Sequence, residues 1–216
     1  MAIDRNMTMN EVVREIHKNA VDHGWWEGER DLDEIYALIH SEWSEALEEA
    51  RAGRDDVWFA CNECLLCDKV SRKECGRYDH AMVCDYRGAK PEGICVELID
   101  GVIRILDYLG YKNDADEYAD GTPDWYFEML GEEGEEWTKD IQRLKFGGIV
   151  CMLHKETTEA YRAMQHSEDE AEADGLLEAA TVVWAWIKGR GLDPMQLLIE
   201  KHEYNVTRPY KHGKKF

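Results

Sequence analysis

Two pairs of carboxylates stand at helical spacing in this chain: Glu42 with Glu45, and Glu97 with Asp100. Residues three apart on an α-helix project from one face. If the two helices pack side by side, four carboxylates converge. Four negative charges brought together repel strongly unless a cation sits between them. An all-oxygen ligand set selects a hard ion, Mg²⁺ or Mn²⁺. Mg²⁺ keeps coordination places open for phosphate oxygens and water, which hydrolysis of a phosphoanhydride requires. A lone Glu-x-x-Glu carries little weight, because solvated helix faces hold many. Two pairs, each beside an apolar stripe, carry more.

The elements that must position these acids are legible as apolar periodicity. Residues 8–23 predict a first helix, capped by Thr8 or Asn10, with Val12, Val13, Ile16 and Ala20 as its stripe. Residues 31–52 predict the helix of the first pair, with Asp31 as N-cap, Glu34 at capping-box spacing and Gly53 as its end. Residues 91–110 predict the helix of the second pair, begun by Pro91 and closed by Gly110. Glu97, Asp100, Arg104 and Asp107 share its polar face. Further helices are predicted over 138–166, 175–188 and 193–206, and a short one around Trp125 to Leu130. The expected fold class is all-α, a helical bundle.

The chain also resembles itself. Ile39-His40-Ser41-Glu42-Trp43-Ser44-Glu45-Ala46 and Leu153-His154-Lys155-Glu156-Thr157-Thr158-Glu159-Ala160 both read apolar-His-x-Glu-x-x-Glu-Ala. Glu97-Leu98-Ile99-Asp100 corresponds to Glu178-Ala179-Ala180-Thr181. The offsets are 114 and 81 residues, and one indel about the length of segment 54–90 reconciles them. Two pseudo-symmetric copies follow: residues 1–110, interrupted by an insertion at 54–90, and residues 138–216, ending in a basic tail. An acidic linker, 111–137, joins them. Thr181 stands where the first copy has Asp100 and has no charge to offer a metal. The second copy is therefore expected to be a degenerate, structural half.

The residues around the acids resemble the MazG-like branch of the all-alpha nucleoside triphosphate pyrophosphohydrolases, a group that includes the dimeric dUTPases. That family is marked by Glu-x-x-Glu on one helix and Glu-x-x-Asp on the next. The resemblance covers roughly residues 8–53, 90–110 and 191–214, and departs from the family in the long link between the acidic pairs. It implies Mg²⁺-dependent hydrolysis of a nucleoside triphosphate to the monophosphate and pyrophosphate. Glu42, Glu45, Glu97 and Asp100 would then hold the metal, although one of them, Glu45 for instance, can instead orient the water. Lys201, Asn205, Arg208 and Lys211 would contact phosphate and sugar. Trp25, Trp26 and Trp43 offer stacking faces for a base, with Trp25 the candidate and the others expected in the core. The implied assembly is a monomeric pseudo-dimer or a homodimer.

Segment 54–90 holds five of the seven cysteines. Cys64, Cys67, Cys75 and Cys84 form a candidate structural Zn²⁺ set, with free thiols or redox pairing as the other reading. Cys95 and Cys151 fall in predicted helices and are expected in the core. The formal net charge of −20 disfavours nucleic-acid polymers as partners but not a single nucleotide, whose charge a metal can offset. The N-terminus lacks a basic region followed by an apolar run, and no stretch reaches the roughly 18 apolar residues of a membrane span. A cytoplasmic location is expected. A ferritin-type di-metal bundle needs Glu-x-x-His, which the sequence lacks. A non-catalytic, zinc-stapled helical interaction module remains the alternative.

Overall fold

Thr8 opens the first helix with a capping box. Its hydroxyl accepts from the backbone N–H of Glu11, whose carboxylate accepts from the N–H of Thr8. The computed structural model describes residues 2–28, 30–60, 90–113 and 135–213. Over these the fold is all-α with one short ladder. Helix α1 spans Met9–Asp22 and α2 spans Leu32–Arg51, the latter capped by Asp31, which accepts from the N–H of Asp33. Strand β1 (Trp58–Ala60) pairs antiparallel with β2 (Lys90–Glu92), with Trp58 opposite Glu92 and Ala60 opposite Lys90. Then come α3 (Ile94–Asn113), α4 (Glu135–Arg143), α5 (Phe146–Gln165), α6 (Asp169–Gly189) and α7 (Pro194–Val206). A 3₁₀ turn, Tyr210–Gly213, follows.

Helix α3 is the hub, touching α1, α2, α6 and α7. Its Leu98, Ile99, Val102, Ile105 and Leu106 are fully buried. Helix α6 is buried on nearly all sides from Leu176 to Ile187, as an apolar run in a bundle centre must be. Among the described residues no helix is long and apolar enough to cross a membrane.

Several predicted boundaries shift, each for a local reason. Helix α3 begins at Ile94 rather than Pro91, which lies in β2. The N–H groups of Ile94 and Cys95 donate to the carbonyls of Asp55 and Asp56. Gly93 turns the corner between strand and helix at φ +113°, where a Cβ would stand 2.7 Å from the Asp55 carbonyl oxygen. Gly110 does not end the helix. It lets α1 approach, since a Cβ there would lie 2.5 Å from Cβ of His17. The predicted helix 138–166 is two helices broken at Leu144–Lys145, and α6 starts at Asp169, ahead of residue 175. The predicted helix at Trp125 to Leu130 lies outside the described residues.

Among the polar contacts that knit α2 to α5, two join residues 114 apart. His40 and His154 meet Nδ1 to Nδ1 at 2.8 Å, with ring planes 13° apart. Nearly coplanar rings in line at that distance make an N–H···N bond, one imidazole donating and the other accepting. Burial lowers both pKa values, and for His40 the neighbouring His154 adds to it. The indole N–H of Trp43 donates to Thr157 Oγ1 at 3.0 Å, and that hydroxyl donates onward to the Leu153 carbonyl. Deeper in, Glu172 of α6 accepts from the hydroxyls of Tyr36 and Tyr108, each at 2.7 Å, with the Lys112 ammonium 3.0 Å from its second oxygen.

Candidate metal centre

The heptad stripe of α2 fixes where its acids go. Trp43 and Ala46 are fully buried, which turns Glu42 inward, only 4% exposed, and leaves Glu45 at the surface. On α3 the same logic applies. Leu98 and Ile99 are core, so Glu97 is buried and Asp100 half-buried on the side facing α2. One oxygen each from Glu42, Glu97 and Asp100 lie within 4.8 Å of one another. Three of the four predicted carboxylates thus converge. Glu45 stands outside this set but near enough to act electrostatically on Glu42 and Arg104.

The acids are not left bare. Arg104, one turn beyond Asp100, donates through Nε to Glu42 at 2.5 Å. Lys201 of α7 reaches Asp100 at 2.7 Å and donates to the Pro91 carbonyl at 3.1 Å. Glu92 on β2 pairs with Lys90 at 2.5 Å and shares a hydrogen bond with Glu97. Burial, and then the bond to Glu92, push the Glu97 carboxyl up to about 9. Both causes favour the protonated form of Glu97, which donates to Glu92, whose own pKa is lowered by the bonds to Glu97 and Lys90 despite burial. Burial also raises Glu42, against the pull of Arg104. Burial alone would lower Arg104 and Lys201, but the acids around each raise both instead. Burial is the largest cause of the rise at Glu97, and the neighbouring acids Glu92 and Asp100 add to it. The oxygen-only donor set and its spread fit a hard divalent ion.

Beside the acids opens a cavity of about 120 Å³. Glu42, Asp100 and Arg104 line it together with Trp25, Arg30, Asn205 and Arg208. Trp25, Asn205 and Arg208 thus come together with the acids as the sequence reading required. Arg30 adds a third guanidinium, set 5.6 Å over the Trp25 ring. Asn205 Oδ1, His202 Nε2 and Arg30 Nε are buried without a hydrogen-bond partner among the described residues, and all three residues line the cavity. Buried polar atoms of this kind call for a ligand or water.

Two predicted substrate contacts stand elsewhere. Lys201 is 1% exposed and lies beneath the acids, so it meets Asp100 rather than a phosphate. Lys211 is outside the cavity lining. Its backbone N–H donates to the His23 carbonyl, and its ammonium sits 5.8 Å over the Tyr210 ring. The neighbouring Gly24 leaves room for that ring, since a Cβ would meet Tyr210 Cε2 at 2.1 Å. Residues Arg208, Tyr210 and Lys211 are therefore docked against the α1–α2 connection rather than loose. Trp43 is core, and Trp26 stacks on Tyr111 at 4.3 Å while donating to Asp107.

Sequence reasoning placed Arg104 on the polar face of its helix but gave it no role, and passed over Glu92, Arg30 and His202. The signal for Arg104 was its register, seven residues after Glu97 and four after Asp100. For Glu92 and Arg30 no periodic signal exists, because one sits on a strand and the other in a connection.

The second set of acids differs. Glu156 is half-buried and bonded by Lys155 at 2.7 Å. Glu178 is raised by burial and by Glu156, Glu159 is exposed, and Thr181 is buried. Cys64, Cys67, Cys75 and Cys84 lie outside the described residues. Cys95 is core, with its thiol pushed far up by burial, whereas Cys151, expected in the core, is exposed because it falls opposite the Val150–Leu153 side of α5. No protein family, curated protein or solved structure matches the chain.

Proposed function

We propose that this chain is a Mg²⁺-dependent nucleotide pyrophosphatase, cleaving a nucleoside triphosphate to the monophosphate and pyrophosphate. The observation that carries this reading is the convergence of Glu42, Glu97 and Asp100 within 4.8 Å beside a cavity edged by guanidinium groups. Glu42, Glu97 and Asp100 are the ligands for Mg²⁺, with Mn²⁺ as a substitute. When bound there, the ion offsets phosphate charge and acidifies a coordinated water. Glu45, exposed one turn from Glu42, would take a proton from the water attacking the α-phosphorus. The α–β phosphoanhydride bond breaks as the new P–O bond forms, and pyrophosphate leaves. Arg208 and Arg30 hold phosphate oxygens, Asn205 the sugar, and Trp25 the base.

The two-copy architecture belongs to the same reading. The His40–His154 and Trp43–Thr157 contacts support it, since equivalent residues meet across a two-fold axis. The chain then works as a pseudo-dimer with one competent metal site, or as a homodimer of such units. Release of pyrophosphate from a panel of ribo- and deoxynucleoside triphosphates, with and without Mg²⁺, tests the activity. Glu97→Gln and Asp100→Asn are each expected to lower kcat by about a hundred-fold or more, the loss of several kcal/mol of metal-derived stabilisation. No turnover of any nucleotide by the wild type would sink the reading.

A further inference from the structure

We propose that Arg104 is a tethered counter-cation which a bound divalent ion displaces from Glu42, and whose freed guanidinium then takes a phosphate of the substrate. This rests on the pyrophosphatase reading and adds a role for a residue which that reading leaves out.

Among the described residues two side-chain cations touch the metal-binding acids, and they are held in unlike ways. Lys201 is locked. It is 1% exposed, spans Asp100 and the Pro91 carbonyl, and is absent from the cavity wall. Arg104 has one bond to an acid, to Glu42, with a third of its side chain exposed. It lines the cavity alongside Arg30 and Arg208. Its charge is permanent, and Glu42 first, then Asp100 and Glu45, favour that charge against burial.

The Arg104 contact uses Glu42, one of the three acids whose oxygens gather within 4.8 Å. An ion entering that point must share Glu42 with a guanidinium. A charge of two outweighs a charge of one at the same distance. Once displaced, the planar fork remains at the cavity wall, where its donors match phosphate oxygens in pairs. The same side chain thus neutralises the empty centre and contributes to the filled one.

The second set of acids makes a natural contrast. With Glu178 set on Glu97, Thr181 falls on Asp100 and Ala185 on Arg104. The charged ligand and the counter-cation are missing together. Lys155, at the position of Ser41, instead puts an ammonium 2.7 Å from the Glu156 carboxylate. A centre that admits no ion has no need of a cation able to move aside.

Calorimetry on the full chain separates this role from a purely structural one. Without nucleotide, Arg104→Ala should bind Mg²⁺ about ten-fold more tightly than the wild type, since a like charge a few ångströms away has gone. With Mg²⁺ saturating, the same variant should bind inorganic pyrophosphate about ten-fold more weakly. Arg104→Gln, which removes the charge but keeps a donor on a shorter stem, should show the same opposite pair of changes, and decides the matter if the alanine variant does not fold. Mg²⁺ affinity unchanged or weakened in the folded variant overturns the proposal while leaving the pyrophosphatase reading standing. A wild type that binds neither Mg²⁺ nor Mn²⁺ overturns both.

Discussion

His202 shows how a single buried group sets a pH limit. It is 1% exposed, and burial lowers its imidazole to about 4. In the unfolded chain the same ring titrates near its ordinary 6.5. Between those values the unfolded state binds a proton that the native state refuses. Stability therefore falls as pH drops from about 6.5 towards 4, by at most about 3 kcal/mol from this residue. Urea midpoints measured across that window should show the slope in the wild type and a flatter one in His202→Gln. Histidines like this one were illegible in the sequence, because nothing local says that Glu-Lys-His-Glu buries its middle pair. Glu42, Glu97 and Asp100 were legible because their relation is one helical turn, fixed by the backbone. Lys201 was misread for the opposite reason: its partner, Asp100, is far away in sequence, and a basic residue near the end of a chain looks solvated until α7 is seen to pack on β2.

At the level of helices, the distance between the two acid-bearing helices depends on one missing side chain. Gly101, next to Asp100, faces Trp43, next to Glu42. A Cβ on Gly101 would lie 2.1 Å from Cζ3 of that indole. The indole is fully buried and hydrogen-bonded to Thr157, so it cannot swing away. Gly101→Ala should push α2 off α3, destabilising the fold by about 1–3 kcal/mol. It should also weaken Mg²⁺ binding, because Glu42 moves with α2. Denaturation curves and calorimetry on the one variant check both. The existence and faces of α1, α2, α3, α5 and α7 were readable from apolar periodicity. The ladder between β1 and β2 was not, since three-residue strands carry no periodic signal and Pro91 reads as a helix start.

For the molecule as a whole, Glu172 is a clasp. It is 1% exposed on α6 and accepts from Tyr36 of α2 and Tyr108 of α3. Burial first, and then the bond to the carboxylate, raise both phenols well above their usual range, so each remains a donor. Tyr36→Phe and Tyr108→Phe should each cost about 1–3 kcal/mol, as hydrogen bonds to a charged group do. Together they should cost more than the sum, because the carboxylate would then be buried with only Lys112 beside it. Thermal unfolding of the two single variants and the double variant measures that coupling. The all-α class was legible from composition and pattern. The clasp was not, because its members lie on three helices whose packing no single stretch of sequence encodes.

The β1–β2 ladder has one more consequence. Ala60 and Lys90 are register partners, so the chain departs and returns across a gap of roughly 4.8 Å, the spacing of adjacent strands. A two-residue Asn-Gly turn bridges such a gap. Replacing residues 61–89 with it should leave the Mg²⁺ affinity, measured by calorimetry, unchanged, because Pro91, which steadies Lys201, keeps its neighbours. The ladder is in effect a splice junction, where another domain can be grafted in without disturbing the chemistry one strand away.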